Sequence, residues 1–167
     1  MSSTRRLRPP NGLANDTFPL DEVNQRLLDV LSSDPRLSTA ELARRVGMSA
    51  PAVRERVARL EETGVIRGYR LDIDPAAVGL PVAVWVRVRP GPGGLSKIED
   101  LARRVLEVSE CHRISGEDCM LLKVHVATIE SLEGVLDQFL LFGQTTSSFI
   151  VSSPVPPRAP KPSSGSG

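Results

Sequence analysis

Residues 38–60 read STAELARRVGMSAPAVRERVARL, two short amphipathic segments separated by Gly47-Met48-Ser49. Ser38 and Glu41 have the S-x-x-E spacing of a capping box, in which hydroxyl and carboxylate each satisfy an amide orphaned at a helix start. Leu42, Ala43 and Val46 then form an apolar stripe, and Gly47 can enter the left-handed region that ends a helix without a Cβ clash. Ser49 is placed to cap the next helix, with Pro51 in its first turn, where a missing amide hydrogen costs nothing. Val53, Val57 and Leu60 make the buried stripe of that second helix. Pro51, Glu55, Ala58 and Glu62 lie opposite it, with Arg54 and Arg59 flanking. This is the pattern of a helix-turn-helix, and a small leading turn beside arginines suits a DNA major groove. Two capped helices also serve as plain scaffold in many helical domains, so the local pattern leaves both readings open.

Charge favours the first reading. From Arg36 to Arg70 there are eight arginines against four glutamates, while the whole chain carries a formal charge of only +1. A basic excess confined to one segment marks a docking face better than a diffuse one. Upstream, Leu20–Ser33 is a third helix, with Asp21 as its cap and Val23, Leu27, Val30 and Leu31 at helical spacing. Downstream, Gly64 closes the helix pair and VIRGYRLDI reads as a strand, which predicts a winged form of the motif. DPAAVGLP follows as a hinge, so the chain divides near Gly79.

The second half has its own order. Val82, Val84, Val86 and Val88 alternate with Ala83, Trp85, Arg87 and Arg89, the period of a strand. Ser96 and Glu99 repeat the capping-box spacing, and Ile98, Leu101, Val105 and Val108 mark a helix face. A short strand over Cys111–Ser115, a turn at Gly116-Glu117-Asp118 and a strand over Cys119–Ala127 follow. Leu132, Val135, Leu136 and Phe139 mark another helix, and Ser147–Ser152 the last strand. The order βαββαβ predicts a ferredoxin-like α+β domain with two helices on one sheet face. Ala83, Trp85 and Arg87, with Cys119, Leu121, Lys123 and His125, are expected on the other. A half-apolar face holding the only Trp predicts a homodimer through Trp85, Arg87 and Leu121. Two-fold symmetry would set two reading helices on successive turns of DNA.

Other chemistries find little support. No run approaches the roughly 20 apolar residues that span a bilayer, and MSSTRRLRPPNGLANDTFP lacks the apolar core of a signal peptide, so a cytoplasmic protein without membrane contact is expected. Cys111 and Cys119 are then expected as reduced thiols. Cys111, His112, Cys119 and His125 fit no common zinc spacing and fall on both sheet faces, and no convincing catalytic set is present. GPGG at Gly91–Gly94 lacks the Lys and Ser or Thr of a P-loop. No metal, cofactor or enzymatic activity is expected. Residues 1–19, with Arg5, Arg6 and Arg8, read as a solvated arm and residues 154–167 as a Pro- and Ser-rich tail.

Taken together, LDEVNQRLLDVL, the helix pair through RLEETGVIRGY, LDIDPAAVGLP, ISGEDCMLLKVHV and GQTTSSFIVSS resemble the Lrp/AsnC, or feast/famine, family of transcription regulators over about four fifths of the chain. The resemblance implies a DNA-binding domain over residues 20–80 and an effector-binding and oligomerisation (RAM-type) domain over 81–153. It implies double-stranded DNA and a small-molecule effector, often an amino acid, as partners, and dimers that often assemble into octamers. Carried over by position, the DNA contacts fall on Ser49, Ala50, Pro51, Arg54, Arg56 and Arg59. For Arg56, flanking the buried stripe, a structural ion pair competes with a phosphate contact. The effector site falls on Gly116, Glu117 and Asp118 and on Gly143, Thr145, Thr146 and Ser147. Two positions depart from the family pattern: Asn24 stands where many members carry an acid, and Cys119 aligns with the usual acid after the turn. An effector-independent architectural DNA-binding protein is the alternative function.

Overall fold

The computed structural model describes residues 20–161. The expected N-terminal arm, with Arg5, Arg6 and Arg8, and the end of the expected tail lie outside the described residues. Two compact units are present, divided between Leu71 and Asp72, and the second runs to Pro156.

The first unit consists of α1 (Glu22–Ser33), α2 (Thr39–Val46) and α3 (Ala50–Glu62). Each start is fixed by the residue that the sequence offers for it. Asp21 accepts the Asn24 amide at 2.7 Å, Ser38 the Glu41 amide at 3.2 Å and Ser49 the Ala52 amide at 3.4 Å. Gly47 ends α2 at φ 73°, and Gly64 follows α3 at φ 77°, which lets the Ile66 amide reach back to the Leu60 carbonyl at 2.9 Å. Leu27, Leu42, Ala43, Val46 and Val53 form one buried cluster, with Val57 packed at its margin.

Two local expectations fail here. The Ser38 capping box is only half made, because the Glu41 carboxylate turns to Arg44 and Arg45 instead. The wing strand over VIRGYRLDI does not form: residues 65–73 are irregular, so the described part of this unit is a helix-turn-helix without a wing. A strand needs a ladder partner for its backbone groups. None is present among the described residues of the unit, Gly68 sits at φ 150°, and Tyr69 is drawn back to α3, its hydroxyl donating to Glu61 at 3.0 Å.

The second unit is β1 (Val82–Pro90), α4 (Leu95–Arg104), β2 (Val108–Arg113), β3 (Met120–Val126), α5 (Ile129–Leu140) and β4 (Gly143–Phe149), after a 3-10 turn at Ala76–Val78. The sheet order is β2-β3-β1-β4, with every pair antiparallel. Val84, Val86 and Val88 of β1 and Met120, Leu122, Val124 and Val126 of β3 are buried with Ile98 and Leu101 of α4 and Leu132, Val135 and Phe139 of α5. The two strand registers therefore put every second residue on the opposite, uncovered face.

Several boundaries shift from the expected ones. β2 begins three residues before the expected Cys111, and β4 begins four before the expected Ser147. Val108, read as helical, starts β2, because Val105 turns extended as the C-cap of α4. Ser96 does not cap α4. Gly94 holds that position without a side-chain bond, and a Cβ there would lie 2.2 Å from the Phe142 carbonyl, so main-chain packing sets the helix start. Cys119, expected on the open face, precedes the first residue of β3 and packs against the core. No helix among the described residues is long and apolar enough to cross a membrane.

Candidate functional site

α3 presents its outer face as the sequence predicts. Val53 and Leu60 are fully buried, while Ser49, Pro51, Arg54, Ala58 and Arg59 are exposed. Ala50 is half-buried and packs against the cluster beneath. The first turn is thus small and unobstructed, a shape that lets a helix N-terminus approach a duplex closely.

Arg56 is committed elsewhere. Its Nη1 donates to Asp21 Oδ2 at 2.6 Å and to Asn24 Oδ1 at 3.1 Å, tying α3 to the start of α1. Of the two roles open to it in the sequence, the structural ion pair is the one that forms. Asn24 is 3% exposed, so its amide oxygen depends on this donor. The hydrogen bond from Arg56, then that from the Asn24 amide, holds the Asp21 carboxyl below its ordinary range. Arg44 and Arg45 are likewise occupied, and their hydrogen bonds pull Glu41 down to about 2. The exposed arginines outside these pairs include Arg54, Arg67 and Arg70.

The residues expected at an effector site converge only in part. The turn through Gly116 joins β2 to β3, and its acids reach the end of β1: Arg89 Nη2 lies 2.8 Å from Glu117 Oε2 and Arg89 Nε 3.1 Å from Asp118 Oδ1. Arg89 faces Gln144 across the β1–β4 register, with Gly143 next to it opposite Pro90. A Cβ at Gly143 would stand 2.3 Å from the Arg89 carbonyl, so only glycine lets β4 begin this close. Thr146 is paired with Arg87 on the uncovered face, whereas Thr145 and Ser147 are paired with Val88 and Val86 and so take the helix-covered face. The four β4 residues therefore do not line one surface. A crevice of about 310 Å³ beside Gly143 is bordered by Gly91, Pro92, Gly94, Lys97 and Leu140–Phe142, without the Gly116 turn. Sequence reasoning missed Arg89 as a partner of the turn. Its position two residues beyond Arg87 on the polar side of β1 was visible, but the register that brings it to Asp118 was not.

The uncovered sheet face carries Trp85, Arg87, Leu121, Lys123 and His125 together. Lys123 Nζ stands 5.7 Å from the Trp85 ring centroid and 3.2 Å from Glu110 Oε1, and His112 Nε2 is 3.2 Å from Glu110 Oε2. Burial tends to raise the Glu110 carboxyl, but the bonds from His112 and Lys123 outweigh it and hold it low. Burial and then the Lys123 charge lower His125, whose Nδ1 is closed off from solvent without a hydrogen-bond partner among the described residues. No three His, Cys, Asp or Glu side chains among those residues converge as a metal site requires.

Comparison with known proteins places both halves. Residues 20–61 match the AsnC-type helix-turn-helix domain and residues 82–160 the Lrp/AsnC ligand binding domain. The chain is 31% identical to the HTH-type transcriptional regulator LrpC of Bacillus subtilis over 80% of its own length and 92% of the relative's. It is 33% identical to the leucine-responsive regulatory protein of Escherichia coli, over 73% and 76% of the two chains. Among solved structures, a feast or famine regulatory protein of M. tuberculosis complexed with L-methionine superimposes with a TM-score of 0.77 at 32% identity, covering 86% of this chain and all of the other.

Proposed function

Since this chain belongs to the Lrp/AsnC family of transcriptional regulators, we propose that it reads DNA through the first turn and outer face of α3 and responds to an amino acid at its second unit. The reading residues are Ser49, Ala50, Pro51, Arg54 and Arg59, in a DNA-binding domain over residues 20–80, which takes in the first compact unit and the linker after Leu71. Arg56 sits behind them as a strut. The observation that carries the assignment is the exposed α3 face of small residues and arginines, capped at Ser49 and packed on α1 and α2 through Val53 and Val57. Residues 81–153 bind the effector and pair two copies through the uncovered sheet face at Trp85, Arg87 and Leu121. Dimers of that kind can assemble further into octamers. The protein acts in the cytoplasm, where its DNA is, and a regulator needs no catalytic group.

An amino acid can alter DNA binding only by favouring one arrangement of the reading helices over another. Its site lies where the Gly116 turn and the start of β4 approach the end of β1, and the L-methionine complex of the M. tuberculosis relative supports an amino acid as the ligand class. Arg54→Ala and Arg59→Ala should each weaken operator binding by about 5- to 100-fold, as loss of a phosphate or base contact does, without changing oligomer size. Binding measured at several salt concentrations should fall with a log-log slope of about −0.9 per phosphate neutralised. Affinity that is indifferent to both arginines and to salt would remove this reading.

The occupation of both turn acids by Arg89 supports a second reading, a DNA-organising protein with no effector. DNA binding unchanged by each of the twenty amino acids is its expected signature.

A further inference from the structure

We propose that Arg89 is the selectivity residue of the effector site, and that the site takes a zwitterionic α-amino acid by exchanging an internal ion pair for two ligand ion pairs. The inference rests on the reading of this end of the sheet as an amino-acid site. One guanidinium is shared by two carboxylates, those of Glu117 and Asp118, at 2.8 and 3.1 Å. The group carries one positive and two negative charges, and a zwitterion brings one of each. Its carboxylate can take the Arg89 fork, which suits planar bidentate recognition. Its ammonium can take the freed Asp118.

Three features make that exchange feasible. The Arg89 side chain is 49% exposed and Asp118 35%, so neither charge has to be brought out of a buried environment to change partner. Ion pairs this exposed are weak, and a ligand that replaces them with pairs of the same kind has little to overcome. Glu117, at 78% exposure, is the outer acid and can return to solvent while Asp118 stays against the ligand. Cys119, the next residue, packs against the core and carries no charge to offer an ammonium, so the acid must come from the turn itself. Arg89 also stands opposite Gln144, beside Gly143, the bare start of β4, so it joins the two chain segments that make up the site.

This arrangement predicts which ligand groups matter. The experiment is calorimetric titration of the full-length protein with the twenty L-amino acids, and with the carboxamide and the N-acetyl form of each. The unmodified protein should prefer the free amino acid to its carboxamide by about five- to tenfold, the strength of a partly exposed ion pair. In Arg89→Gln that preference should vanish, the carboxamide binding as well as or better than before because both acids are released. Asp118→Asn should instead lose the preference for the free amino acid over its N-acetyl form. If Arg89 only braces the turn, Arg89→Gln will weaken both ligands equally and keep their ratio, and that result overturns the proposal. The Asp118→Asn arm decides the question even if Arg89→Gln folds poorly, since an unchanged ratio there overturns it too. An unmodified protein that binds none of the twenty would overturn the amino-acid reading together with this inference. Binding with unaltered ratios in the variants overturns this inference alone.

Discussion

Arg56 and Arg54 are two residues apart on one helix and do different work. Arg56 points toward α1 and supplies a hydrogen bond to an amide side chain that solvent does not reach. Arg56→Met would leave the Asn24 oxygen without a donor, at a cost of about 1–3 kcal/mol, readable as a lower urea midpoint. Arg54→Ala, on the exposed side, should change stability by no more than about 0.5 kcal/mol while weakening DNA binding. Acid separates them further. The Asp21 pKa is lowered in the folded chain, so its pairing with Arg56 contributes fully above the ordinary value of 3.8 and is lost as pH falls through the folded pKa. Arg56→Met should therefore flatten the acid limb of the stability profile, and Arg54→Ala should leave it steep. The departure at Asn24 also gains a role: a neutral acceptor for Arg56 in place of a second acid beside Asp21.

At the level of elements, the packing of one strand end against another is a sharper constraint than the sequence suggests. Gly143→Ala places a methyl group against the Arg89 carbonyl, so β4 must shift or detach, costing about 1–3 kcal/mol as overpacking does. Thermal denaturation of the variant is the check, and a melting point equal to the parent's would show that β4 tolerates displacement. The same strand shows where reading from sequence stops. β1 and β3 are legible because both are central strands with one face on the core, which imposes strict alternation on VAVWVRV and MLLKVHV. The helices are legible from Asp21, Ser49, Gly47 and their apolar spacing. β2 and β4 are sheet edges, and VSECHR and GQTTSSF have no comparable apolar alternation, so their limits slid by several residues. The wing strand fails for the converse reason: VIRGYRLDI has strand composition but no strand beside it among the described residues of its unit. The α3 face could be read residue by residue because it is local. The Arg89 contact with the turn could not, since it joins residues 29 apart in the sequence through the β1–β3 register.

On the scale of the whole molecule, the uncovered sheet face is the surface proposed to pair two copies. Trp85 and Leu121 supply its apolar part and Arg87 and Lys123 its charge, with Trp85 beneath Lys123 near the centre. Trp85→Glu should shift the protein from dimer to monomer in sedimentation velocity, because a carboxylate at the middle of a closed interface has no room for water. DNA affinity should fall with it, since one reading helix then replaces two. A variant that remains dimeric would move the interface to another surface. The sheet order has a further bearing on how the chain is made. β1 is the first strand synthesised and needs β3 on one side and β4 on the other, and β4 is the last. While the chain leaves the ribosome, the row of main-chain groups on the β4 side of β1 stays unpaired until residues 143–149 emerge. For that interval a strand destined for the middle of the sheet is an open edge. The newly made protein is then most prone to pairing with a neighbouring nascent copy, and a pause in translation just before Gly143 is where misassembly should concentrate.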